Sequence, residues 1–185
     1  MHSDYFEFMG VPRRMNLDAG LLEKAYYALS RKFHPDFFHA KSEKEKFWSR
    51  VQTATLNKAY QILRDPIERA RYILDLELPA RREERTKIDP ALASEIFEIQ
   101  ELVEEQRRAR NPALKAKLDK AKKELEDKVA VKRRVFQEHF KVWDDEEEPS
   151  KRVDLARFLR TLIDEIAYLK NLLQSIESGG QIRQQ

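Results

Sequence analysis

One short stretch holds the side chains best suited to proton transfer or metal binding: Phe33-His34-Pro35-Asp36-Phe37-Phe38-His39. An imidazole oriented by a carboxylate is the raw material of a general base. Here, however, Asp36 stands two residues from His34 across a proline, and no serine, cysteine or metal-ligand set accompanies the pair. That spacing on a tight turn is not the geometry of a triad. As metal ligands, His34 and His39 lack thiolates and any carboxylate set at ligand spacing. The stretch therefore predicts no catalytic residue, no metal and no cofactor. What it does predict is display. Pro35 disfavours the α region at His34, so the helix before it should end there. Polar groups held at a turn by a rigid scaffold are a common place for function.

Two periodic segments must position that turn. Before it, Leu22, Ala25, Tyr26, Leu29 and Phe33 recur as one helical stripe, with Asn16 or Asp18 available as the N-cap. Lys24, Arg31 and Lys32 lie off the stripe and should face water, where with Asp36 they could dock an acidic partner. After the turn, charged residues from Lys41 to Lys46 begin a second helix with Phe47, Val51, Ala54, Thr55, Leu56, Ala59, Ile62 and Leu63 at helical spacing. Asp65-Pro66 then reads as N-cap and first residue of a further helix using Ile67, Ala70, Ile73 and Leu74. A short apolar helix closed by Gly10 and Pro12 should precede them all.

Beyond Leu78-Pro79 the apolar residues thin out, which predicts a linker at 80–88 between a unit at 1–79 and a second at 89–185. In the second unit Leu92, Ile96, Ile99 and Val103 form one stripe. Leu114, Leu118, Ala121, Leu125, Val129 and Phe136 form the next. That helix should stop before the acidic run Asp144 to Glu148, taken as an exposed loop. In the last helix Leu155, Leu159, Leu162, Ile166, Leu169, Leu173 and Ile176 repeat at steps of four and three, a coiled-coil-like seam. Short connections between three such helices predict an antiparallel three-helix bundle.

Composition agrees with an all-α protein: 37% of the residues are charged, only 4 are Gly, and alternating Val/Ile/Thr-rich segments are missing. With 36 basic and 33 acidic residues interspersed, no basic face suggests nucleic-acid binding. No apolar run approaches the roughly 18 residues of a membrane span. Met1 to Phe6 lacks a signal-peptide pattern, and the 0 cysteines fit a reducing compartment. A cytoplasmic monomer is expected.

Lys24-Ala25-Tyr26, followed by Phe33-His34-Pro35-Asp36, resembles the signature of the J-domain. Where general J-domains carry basic residues after the tyrosine, this chain has Tyr27 and Ala28. His34 to Phe38, Thr53 to Tyr60 and Leu63-Arg64-Asp65-Pro66 with Arg69, Ala70 and Tyr72 resemble a narrower family, the HscB co-chaperones of iron–sulfur cluster assembly. Asp4-Tyr5-Phe6 and Gly10-Val11-Pro12 match it too. The resemblance implies a J-domain helical hairpin with flanking helices, followed by a three-helix bundle. It implies that Lys24, Tyr26, Arg31, Lys32, His34, Pro35 and Asp36 engage a DnaK-type (HscA-like) ATPase chaperone. It also implies that Ala93, Ser94, Phe97, Glu98, Glu101 and Glu105, with Phe158 from the last helix, bind the cluster scaffold protein. Ala93 and Ser94 are smaller and more polar than the family's large apolar residues. The alternatives are a general DnaJ-type co-chaperone, which would be expected to carry a Gly/Phe-rich linker or a cysteine-rich zinc module, and a helical adaptor without chaperone activity.

Overall fold

A computed structural model describes residues 4–77 and 90–178, and every regular element among them is helical. Seven α-helices follow in order: α1 Tyr5–Met9, α2 Ala19–Phe33, α3 Glu43–Arg64, α4 Pro66–Glu77, α5 Pro90–Ala109, α6 Pro112–Asp145 and α7 Pro149–Glu177. A single 3-10 turn, Pro35–Phe38, separates α2 from α3. The predicted linker lies outside the described residues. By internal contacts the chain divides into two units, Met1–Pro79 with Phe140–Glu147, and Ala80–His139 with Glu148–Gln185.

The first unit is punctuated by caps that the sequence supplies. Asp4 accepts from the Phe6 amide to start α1, and Gly10 ends it at φ 67°, a left-handed conformation open to glycine without strain. Asp18, rather than Asn16, caps α2 by accepting from the Leu21 N–H at 2.6 Å. Ser42 and Glu45 form a reciprocal capping box at the start of α3. Asp65 accepts from the Ile67 and Glu68 amides ahead of Pro66. Around these ends the core gathers Phe6, Met15, Leu22, Leu56, Leu63, Ile73 and Leu74, all nearly fully buried.

Two expectations change in this unit. On α3 the buried stripe is Ser49, Leu56, Ala59 and Leu63, whereas Phe47, Val51 and Ala54 are exposed. The first turns of α3 are rotated relative to the apolar pattern because Ser49, a polar residue, has a partner inside. The second concerns the acidic run. Helix α6 continues through Asp145, and the Asp144 carboxylate accepts from the Met15 and Asn16 amides at 2.8 and 2.9 Å. Those two amides lie in an irregular segment with no helix to satisfy them, so the carboxylate takes that role.

In the second unit α5, α6 and α7 share a core of Ile99, Val103, Leu118, Leu125, Leu169 and Leu172. Leu92, Ile96, Ala121, Val129, Leu173 and Ile176 pack against it. Asn111 accepts from the Ala113 amide to start α6, and Arg110 before it makes the turn at φ 46°. Ion pairs between helices fix the register: Glu95 with Lys128, Lys132 with Glu165, and Lys122 with Glu177.

Candidate functional site

The His34 turn is assembled by three elements that meet at one backbone carbonyl. Helix α2 ends at Phe33, whose C=O is left without a helical partner. Ser49 donates its hydroxyl to that oxygen at 2.7 Å and Thr53 does so at 3.1 Å, from successive turns of α3. The Trp48 ring stands edge-on to Phe33 with centroids 5.4 Å apart and lies 5.8 Å from Phe38. Together these contacts tie the end of α2, the turn and the start of α3. The polar residues Ser49 and Thr53 were absent from the sequence-based core because their role depends on a carbonyl distant in the chain.

Within the turn, Pro35 opens the 3-10 helix at the position where its missing N–H costs nothing. His34 caps it: Nδ1 accepts from the Asp36 amide at 3.3 Å. The Asp36 carboxylate lies 3.5 Å from the same nitrogen. In the neutral ring, an accepting Nδ1 leaves the proton on Nε2, which makes that edge a donor. Both side chains are open to water, His34 half-exposed and Asp36 86% exposed. This is a presented turn, with donor and carboxylate held by backbone geometry and no enclosing pocket of their own.

The remaining predicted docking residues lie on α2. Lys24, Arg31 and Lys32 are exposed on α2, and Lys32 Nζ sits 5.7 Å over the Phe33 ring. Tyr26 differs from them. It is partly buried, stacked on Tyr60 at 4.2 Å, with its hydroxyl donating to Asn57 at 3.1 Å. Its geometry is that of a strut between α2 and α3. Among the described residues, no group of three or more His, Asp or Glu could hold a metal ion.

A second candidate surface lies on α5. Ala93, Ser94, Phe97, Glu98, Glu101 and Glu105 are all exposed, and Phe97 shows 61% of its surface to water. An exposed phenylalanine beside three carboxylates leaves its apolar area uncovered, as a binding anchor would. Phe158 does not join this surface. Its ring packs at 4.8 Å on His139. Glu95 of α5 is level with Lys128 of α6. His139 lies roughly 16 Å further along α6, at ~1.5 Å per residue, on the side away from Phe97. The register set by packing and by the Glu95–Lys128 and Lys132–Glu165 pairs separates the two aromatics.

Comparison with known proteins agrees with this anatomy. The DnaJ domain model matches residues 4–72. A co-chaperone protein HscB homolog of Vibrio cholerae is 38% identical over 102 residues, which is 55% of this chain and 60% of the relative. That of Vibrio vulnificus is 38% identical over 103 residues, with the same shares. The chain thus aligns to 60% of these relatives' length, less than two thirds. Among solved structures, the chaperone HscB from Vibrio cholerae is similar at a TM-score of 0.65 and 26% identity, covering 95% of this chain and 96% of that one. Human co-chaperone protein HscB is similar at 0.67 and 26%, covering 96% and 82%.

Proposed function

From a chain that belongs to the HscB family of J-domain proteins, with its DnaJ domain at residues 4–72, we propose a co-chaperone with two separate tasks. The His34-Pro35-Asp36 turn stimulates ATP hydrolysis by a DnaK-type, HscA-like chaperone, with Lys24, Arg31 and Lys32 steering the encounter. The α5 face, Phe97 with Glu98, Glu101 and Glu105, carries the iron–sulfur cluster scaffold protein to that chaperone. The chain performs no chemistry of its own on this reading. It holds no resident cofactor and works as a monomer.

One observation carries the proposal. A turn with its histidine and aspartate exposed is nonetheless held by two hydroxyls on the Phe33 carbonyl. Ordering backbone around two side chains that stay largely open to water has its use in contact with another molecule, since such ordering costs entropy. Tyr26 braces α2 against α3 through Tyr60 and Asn57, and Phe158 is left out of the scaffold surface.

The deciding experiment is single-turnover ATP hydrolysis by the purified DnaK-type chaperone with parent protein and His34→Gln. Stimulation should vanish in the variant while its circular dichroism is unchanged, because His34 is not in the core. Undiminished stimulation would refute the reading.

A further inference from the structure

A recess of about 350 Å³ opens in the first unit where α2 begins, α3 ends and α4 begins. Ala19, Leu22 and Glu23 line it from α2, Tyr60 and Arg64 from α3, and Arg69 from α4. It sits at the opposite end of α2 from the His34 turn, about 20 Å away at ~1.5 Å per residue. With a water taking ~30 Å³ of liquid volume, the space admits a small organic molecule.

Its polar groups are short of partners. Arg69 is 6% exposed, and its guanidinium donates through Nε to the Met15 carbonyl at 3.0 Å and through Nη1 to the Leu63 carbonyl at 2.7 Å. Both acceptors are neutral, and Nη2 makes no hydrogen bond among the described residues. Asp144 and Asp65 act on this cation only at a distance, while burial pulls its pKa down. A buried charge satisfied by carbonyls alone carries a desolvation cost that a bound anion would offset. Among the described residues, Arg64 is exposed without an ion pair and the Tyr60 hydroxyl has no hydrogen bond. The Tyr60 ring is already fixed by its stack on Tyr26 at 4.2 Å, so its hydroxyl is a pre-positioned donor.

The charge on the walls decides the sign of the ligand. Two guanidinia stand against one carboxylate, Glu23. The other carboxylates nearby are committed to amides: Asp18 to Leu21, Asp65 to Ile67 and Glu68, and Asp144 to Met15 and Asn16. The first turn of α2 adds the positive end of its dipole. Two forked donors and a phenol suit a tetrahedral oxyanion, which offers several acceptor oxygens at once.

We propose that this recess binds the phosphate group of a small molecule, with Arg69 and Arg64 as the cationic clamp and Tyr60 as a hydroxyl donor. Ala19 and Leu22 leave an apolar wall for the body that carries the phosphate. The site is independent of the co-chaperone reading.

The test is an amide chemical-shift titration of the full chain with inorganic phosphate and with glycerol 3-phosphate, against sodium chloride at matched ionic strength. Saturable shifts should cluster at Ala19, Leu22, Glu23, Tyr60 and Arg64 with both phosphates and be missing with chloride. Tighter binding of glycerol 3-phosphate assigns the recess to a monoester, and tighter binding of inorganic phosphate assigns it to the free ion. Arg64→Gln should melt with the parent, because the side chain is exposed, and should weaken binding at least about tenfold. Tyr60→Phe keeps the ring stack and should weaken binding less. Glu23→Gln should tighten it by removing the opposing carboxylate. Lys115→Gln, in the second unit, should bind as the parent does. Shifts that follow ionic strength alike in phosphate and chloride overturn the site, and so does an Arg64→Gln variant that binds like the parent.

Discussion

The Phe33 carbonyl is the atom at which the end of α2 is tied to α3. Ser49 is fully buried and its hydroxyl is committed to that oxygen, with Thr53 as a second donor. Ser49→Ala leaves Thr53 in place and should cost about 1 kcal/mol, the net value of one such bond. Ser49→Ala with Thr53→Val strands the carbonyl, and the loss should grow to about 1–3 kcal/mol. Urea unfolding would measure both. If the turn works as proposed, the double substitution should also reduce stimulated ATP hydrolysis even though it leaves His34 and Asp36 untouched. Equal unfolding midpoints for single and double variants would show that the carbonyl does not depend on α3.

Helices here are bounded by side-chain caps and held by buried stripes, and the two can be perturbed separately. The Glu45 carboxyl is held below its ordinary range by hydrogen bonds from the Ser42 hydroxyl and amide. A carboxyl depressed in the folded state contributes above its unfolded value of ~4.3, and the contribution is lost as pH falls through the folded one. Backbone chemical shifts of Glu43 to Lys46 should therefore move toward coil on acidification. In Ser42→Ala they should already be displaced at neutral pH. In the bundle, Leu125 is wholly buried among Ile99, Val103, Leu118, Leu169 and Leu172. Leu125→Ala should cost ~2–5 kcal/mol in urea unfolding. Phe97→Ala should stay within about 0.5 kcal/mol because the ring is exposed. A large loss at Phe97 would make it a structural residue and remove the anchor from the α5 face.

For the molecule as a whole, the two proposed tasks fall in separate units of the chain. They should therefore be separable by mutation. Phe97→Ala with Glu101→Ala should weaken binding of the cluster scaffold protein by at least about tenfold, ~1.4 kcal/mol. The chaperone alone should be stimulated as by the parent, since His34 lies elsewhere. Calorimetric titration at low and high salt, run beside the ATPase assay, would show whether the glutamates act through charge. Unchanged affinity would move the scaffold site off α5.

Much of this was legible in the chain. Helical period, Pro35, Asp65-Pro66 and the caps are local signals, and local sterics and hydrogen bonding place the helix boundaries wherever such residues occur. The turn was legible for the same reason, because proline acts on its immediate neighbours. The sequence alone did not disclose the hydroxyls of Ser49 and Thr53 on Phe33, the inward face of α3, or Asp144 bonded to the Met15 and Asn16 amides. Each depends on a partner brought near only by folding, in the last case one more than a hundred positions away. Periodicity fixes which residues can share a face, with a rotation that a buried polar bond can override, as at Ser49. Nor does it fix axial register between long helices. That register, set by packing and by Glu95–Lys128 and Lys132–Glu165, is why Phe158 meets His139 instead of the acidic face.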